Sequence, residues 1–213
     1  MPRKTPVYTS EFPYHISARC HNKEWFDLPM QFVWETMSNY LYFIGVAYKV
    51  EIYSFVLMNN HFHLIAKFPD GNISEAMNYF MRETSRVISR RAKRINQTYG
   101  GRYFKSAITK QIYLEHAYKY VYRNPIEAKL AERAEDYQYS TLGILLGKRG
   151  GVIPLVNDPL LEETLREATI EWINQAPEES DKEEVRKALK KTTFILASRN
   201  KGKFLHHLEV DRF

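Results

Sequence analysis

Between Leu28 and Tyr48 the apolar residues Phe32, Val33, Met37, Tyr40, Leu41, Ile44 and Tyr48 recur at steps of three and four, the spacing of a helix that buries one face. Before it, Pro13 to Arg19 reads as a strand and Cys20 to Phe26 as a loop. After it, Lys49 to Met58 and His61 to Phe68 are two β-rich runs joined by Asn59-Asn60, a pair suited to a tight hairpin turn. Asp70-Gly71 supplies the next turn, and Asn72 with Glu75 three residues on has the form of a capping box opening a long helix to about Gln97. Gly100-Gly101 ends that helix, Arg102 to Ile112 is a further strand, and a last helix begins near Tyr113. Strand, helix, strand, strand, helix, strand, helix is the order of an α+β fold: a ferredoxin-like antiparallel sheet with helices on one face, extended by a terminal helix. We divide the chain into a first domain over 1–128 and a C-terminal helical extension over 129–213, in which Pro177 to Glu184 is an acidic linker or helix start.

Composition narrows the partners. The chain has 213 residues, 31 Lys plus Arg against 25 Asp plus Glu, and a net charge of +6, which favours a polyanion without identifying one. Its single cysteine, Cys20, excludes an internal disulfide framework and a Cys-based zinc ribbon. No apolar run approaches the ~20 residues that span a bilayer and no signal-peptide core is visible, so we expect a cytoplasmic chain with no membrane partner. Nothing in the pattern sets an oligomeric state.

The candidate chemistry starts at His61-Phe-His63. Residues i and i+2 of a strand share a face, so both imidazoles project together and Phe62 points the other way. Two histidines in a strand are often no more than partly buried polar residues. A second group is therefore needed, and the helix after Tyr113 offers one. At about 100° per residue, Leu114, Ala117, Tyr118 and Val121 form its apolar stripe, while His116, Tyr120 and Asn124 form a neighbouring one. Asn124 precedes Pro125, which implies a helix end or an altered turn there. On spacing alone, the alternative of a Tyr-rich helix merely anchored by its phenols stays open.

Three segments, Val56-Leu-Met-Asn-Asn-His-Phe-His-Leu-Ile65, Gly101-Arg-Tyr-Phe-Lys-Ser106 and Tyr120-Val-Tyr-Arg-Asn-Pro-Ile-Glu-Ala128, together resemble the HUH single-tyrosine transposases of the IS200-like superfamily, in particular the REP-associated tyrosine transposases. The resemblance spans roughly residues 8 to 147 and is least from about Gly150. It departs at Asn59, where relatives often carry proline, at Cys20, where glycine is common, and at Tyr137-Gln-Tyr-Ser-Thr.

That resemblance implies the HUH endonuclease fold in a catalytic domain over 1–128, with the extension over 129–213 a candidate DNA-binding region, His61, His63 and Asn124 as ligands of a divalent metal, Mg²⁺ or Mn²⁺, and Tyr120 as the nucleophile. It implies nicking and rejoining of single-stranded DNA next to hairpins through a 5′-phosphotyrosine. Of the other tyrosines in the helix, Tyr118 lies on the apolar stripe, Tyr122 about 200° from Tyr120, and Tyr113 roughly 16 Å along the axis from Asn124. Lys119, Arg123 and His116 are near in sequence and could assist deprotonation of Tyr120. Arg82, Arg86, Arg90, Arg91, Lys93 and Arg94 make the second long helix strongly basic, suited to phosphate contacts. Two rival readings stand beside this one: a nonenzymatic nucleic-acid-binding module on a ferredoxin-like sheet, and a metal-dependent hydrolytic nuclease that forms no adduct.

Overall fold

Alternation along the strands governs the architecture of the computed structural model, which describes residues 9–157, 166–196 and 206–210. Four antiparallel strands, β1 (Tyr14–Arg19), β2 (Glu51–Met58), β3 (His61–Lys67) and β4 (Phe104–Ala107), lie in the order β2-β3-β1-β4. One face carries Tyr14, Ile16 and Ala18 of β1 and Phe62, Leu64 and Ala66 of β3. It packs against α1 (Met30–Ala47) and α2 (Ile73–Arg91) through Val33, Met37, Leu41, Ile44, Met77 and Phe80. Phe62 is fully buried there, its ring 5.6 Å from that of Phe80 and 5.8 Å from that of Phe55. The ferredoxin-like α+β order expected from the pattern is the one observed.

The other face is covered by α3 (Gln111–Glu127), whose Ala117 and Val121 meet Val56 and Ile65 of the sheet. On the far side of α3, Ile173 of α5 (Arg166–Asn174), Val185 and Ala188 of α6 (Glu179–Ala188), and Leu189 and Phe194 complete the same apolar cluster. A one-turn helix, α4 (Leu142–Leu145), precedes them. The described residues beyond 128 therefore wrap the sheet. Leu57 N–H donates to Tyr139 O at one edge, and Phe194 N–H donates to Ala107 O at the other. This is why α3 is buried on nearly every side, including at Tyr118, Lys119 and Tyr122.

Several local expectations shift for identifiable reasons. Asn72 makes no side-chain cap; its amide donates to Tyr48 O at 3.0 Å, tying the start of α2 to the end of α1. α2 stops at Arg91 instead of Gln97: Lys93 turns left-handed (φ 52°), so Ile95, which would continue the core face of the helix, is fully exposed. The chain then folds back so that Tyr99 bridges Cys20 and Thr98 O accepts from His21 N–H. β4 is only four residues long, since its pairing with β1 runs out at Tyr14. Pro125 sits inside α3, two residues before the helix ends at Glu127, so Asn124 is still helical. Pro177 precedes α6, which makes the acidic stretch a helix start.

Candidate active site

The register of β1 on β3 assembles the site. Ser17 pairs with His63 and Arg19 with His61, so the α3 side of the sheet presents His15, Ser17 and Arg19 beside His61 and His63. His15 pairs with Ile65 and is thus the diagonal neighbour of His63. Its Nε2 lies 2.8 Å from His63 Nδ1, and the two rings stack with centroids 5.1 Å apart. The rings of His61 and His63 are 5.0 Å apart and nearly perpendicular.

Hydrogen bonding orients these rings. Asn60 donates from Nδ2 to Lys23 O at 2.7 Å, so its Oδ1 is free to accept from His61 Nδ1 at 2.8 Å. His61 therefore carries its hydrogen on Nδ1 and keeps a lone pair on Nε2. His63 Nε2 and His15 Nδ1 are buried with no hydrogen-bond partner among the described residues. Burial holds all three rings neutral near pH 7: His15 falls to about 3, His61 to about 4 with help from Arg19, and His63 well below the ordinary range.

Tyr120 approaches from α3, its ring edge-on to His63 at 5.8 Å and to His15 at 6.3 Å. These rings form one side of a cavity of about 420 Å³ whose rim carries Arg19, Arg102, Arg186 and Lys190, with Phe104 beside them. Burial raises the Tyr120 phenol above its ordinary range, and Glu183 adds to this, while Arg186, Arg19 and Lys182 pull it down. The other tyrosines of α3 are engaged elsewhere. Tyr118 stacks on Tyr122 at 6.0 Å, Tyr122 Oη lies 3.4 Å from Thr141 Oγ1, and Tyr113 Oη bonds Glu209.

The structure brings Tyr120, His61 and His63 to one cavity but opens Asn124 into the next. Asn124 lines an adjoining space of about 150 Å³ with Glu127, Lys182 and Arg186, and its Nδ2 donates to Tyr120 O at 2.6 Å. Tyr120 and Arg186 line both spaces. Among the described residues no three His, Cys, Asp or Glu side chains converge as a ready metal cage.

Other expected residues are placed differently. Lys119, Arg123 and His116 line no part of the histidine cavity, although Arg123 lines the adjoining space with Tyr120 and Asn124. Lys119 sits 5.0 Å over the Trp172 ring, its pKa lowered to about 8 by burial and by Arg123; Arg123 donates to Ile173 O and Asn174 O; His116 Nε2 bonds Leu208 O. The basic helix α2 lies on the opposite face of the sheet from the cavity. There Arg82 and Arg86 pair with Glu83, Arg91 lies over the Phe32 ring, and Arg90 and Lys93 are exposed. Arg94 is tied to Trp25 O and to the Asp27 carboxylate, so it fastens a loop. Conversely, His15 and Arg19 were legible in the alternation of the first strand, which puts them on one face, although their neighbour was not. Arg102, Arg186 and Lys190 carried no local signal.

With this geometry in place, comparison with known proteins is informative. The model of the family described as "Transposase IS200 like" matches residues 8–124. No curated protein sequence matches the chain. Among solved structures, one of a REP-associated tyrosine transposase bound to a REP hairpin is similar in fold, with a TM-score of 0.59 at 17% identity, covering 74% of this chain and 93% of that one.

Proposed function

The chain belongs to the IS200-like transposase family, and from that premise we propose that it cuts and rejoins single-stranded DNA at hairpins with Tyr120 as the nucleophile. The observation that carries this reading is the edge-on packing of Tyr120 against His63 on the wall of a cation-rimmed cavity. The phenolate oxygen attacks the phosphorus in line, the bond to the 3′ oxygen breaks, and that oxygen leaves as a hydroxyl after taking a proton. A 5′-phosphotyrosine is left. Because the phosphodiester energy is kept in that bond, attack by another 3′-hydroxyl rejoins DNA without a nucleotide cofactor. The proton of Tyr120 is lost to solvent beforehand, a step that burial opposes and Arg186 and Arg19 favour.

We infer a divalent cation, Mg²⁺ or Mn²⁺, as cofactor, on the ground that the donor set fits one. His61 Nε2 keeps a lone pair, and His63 Nε2 is buried and unpartnered. With His63 Nδ1 donating to His15 Nε2, both imidazoles would offer Nε2, and the Asn124 amide oxygen would be the third ligand. Imidazole and amide donors suit Mn²⁺ somewhat better than Mg²⁺. Bound there, the cation would withdraw charge from a phosphate oxygen.

The DNA partner we infer is single-stranded DNA carrying a hairpin, as in the similar structure, whose chain binds a REP hairpin. Arg19, Arg102, Arg186 and Lys190 border the cavity that takes the reacting phosphate in this reading. Arg82, Arg86, Arg90, Arg91 and Lys93 would grip DNA away from the cut, whereas Arg94 is already committed.

A pool of labelled hairpin oligonucleotides with randomised unpaired flanks, incubated with Mn²⁺ or Mg²⁺ and run on a denaturing gel, tests the proposal. The wild type should give a protein-DNA adduct and Tyr120→Phe none, with hairpin affinity kept. Cleavage without any adduct would favour a water-attacking nuclease, and binding without cleavage a nonenzymatic module.

A further inference from the structure

The second wall around Tyr120 comes from a part of the chain that the family model does not reach. The match ends at residue 124, yet α6 packs on α3 through Val185 and Ala188 and carries cations to both spaces that meet at Tyr120. Lys182 lines the space beside Asn124 and is already engaged, bonding Glu127 at 2.9 Å and Glu179 at 2.5 Å. Arg186 lines both spaces and is held from behind. Glu183, one turn earlier, accepts from its Nε at 2.6 Å and from Nη2 at 2.9 Å. That two-point grip fixes the plane of the guanidinium and uses two of its five N–H donors, leaving the rest to meet an acceptor in the cavity.

We propose that Arg186 is a catalytic residue supplied by the C-terminal region, its guanidinium contacting the scissile phosphate at Tyr120 and balancing the charge that passes from the phenolate to the leaving 3′ oxygen. The Tyr120 oxygen bonds to phosphorus as the bond to the 3′ oxygen breaks, and Arg186 keeps its proton throughout. The inference rests on the reading of Tyr120 as nucleophile.

The position of Arg186 supports this role. Arg186 is the one residue of α6 that borders both the histidines and Asn124. A fixed guanidinium in a partly enclosed site stabilises transition-state charge at no reorganisation cost, which an exposed lysine does not. If the pair with Glu183 were only a surface ion pair on a helix, its removal would be nearly silent.

Single-turnover cleavage by the full chain, at saturating protein and with a hairpin that the wild type cuts, separates these cases. Arg186→Gln should lower the rate by about a hundredfold, the usual loss on removing one such donor, while changing hairpin affinity only a few-fold. Arg186→Lys should recover part of it. Lys187→Gln removes a charge that pairs with the same Glu183 but borders neither cavity, and should cut at the wild-type rate. A rate for Arg186→Gln within threefold of wild type would overturn the proposal, as would an equal loss in Lys187→Gln or a loss confined to affinity. Should Arg186→Gln fold poorly, Arg186→Lys decides: a loss of about tenfold supports the role, and no loss overturns it. Tyr120→Phe run alongside keeps the two claims apart. An adduct from that variant defeats the nucleophile assignment, whereas an inactive Tyr120→Phe beside a fully active Arg186→Gln defeats only the part given to α6.

Discussion

The two faces of the sheet are built on different principles, although the same strands make both. Toward α1 and α2 the two central strands contribute apolar residues alone, Tyr14, Ile16 and Ala18 from β1 and Phe62, Leu64 and Ala66 from β3, and the result is an apolar core. Toward α3 the same strands contribute His15, Ser17, Arg19, His61 and His63, and two of these histidines are left with buried nitrogens that no described group satisfies. A buried polar atom without a partner costs about 1–3 kcal/mol. Such a cost is tolerated where the opposite face supplies the stability and where a ligand meets the atom when it binds. Both faces are packed, but only the α3 face leaves buried histidine nitrogens unsatisfied among the described residues.

Adjacent residues of β3 offer the sharpest way to break that comparison. Phe62→Ala should destabilise the protein by about 3–5 kcal/mol, lowering the thermal midpoint by roughly 10 °C. His63→Ala should shift the midpoint far less and abolish cleavage, a loss of about a hundredfold or more. EDTA should stop the wild type, with recovery on adding Mn²⁺. Thermal melts beside adduct gels measure both. Cleavage by His63→Ala near the wild-type rate, or wild-type activity in EDTA, would remove the metal assignment.

A smaller effect separates the faces by pH. His15, His61 and His116 are held neutral in the folded chain, with values of about 3, 4 and 4, while in the unfolded chain they take up protons near 6.5. The unfolded state thus binds more protons between about pH 6.5 and 4, so stability is full above that window and falls as pH drops through it. Each histidine adds up to about 1.4 kcal/mol per pH unit. Urea melts at pH 7 and pH 5 should show this, and His15→Gln should flatten the slope. An unchanged slope in that variant would argue that His15 is not buried neutral.

The smallest expected effect concerns the basic helix. Arg90→Gln with Arg91→Gln should weaken hairpin binding and lower the dependence of log affinity on log salt by about 0.7 per lost phosphate contact. Arg94→Gln should instead loosen the loop at Asp27 and leave that slope alone. Equal slopes in all three proteins would place the DNA wholly on the α3 face.

The sequence by itself determined what belongs to one element. Period-two alternation put His61 and His63 together and Phe62 behind them, and the helical period put Tyr120 apart from Tyr118 and Tyr122. The order of elements was enough for the ferredoxin-like sheet, and linked motifs were enough for the family. Local periods do not say which elements become neighbours. That His15 bonds His63 depends on β1 lying beside β3, and that Arg186 reaches Tyr120 depends on Val185 and Ala188 burying themselves against α3. That the arginines of α2 lie away from the cavity depends on which face Phe80 and Met77 cover. Those adjacencies follow from closing the apolar surfaces of several elements at once, so they exist only in the folded chain.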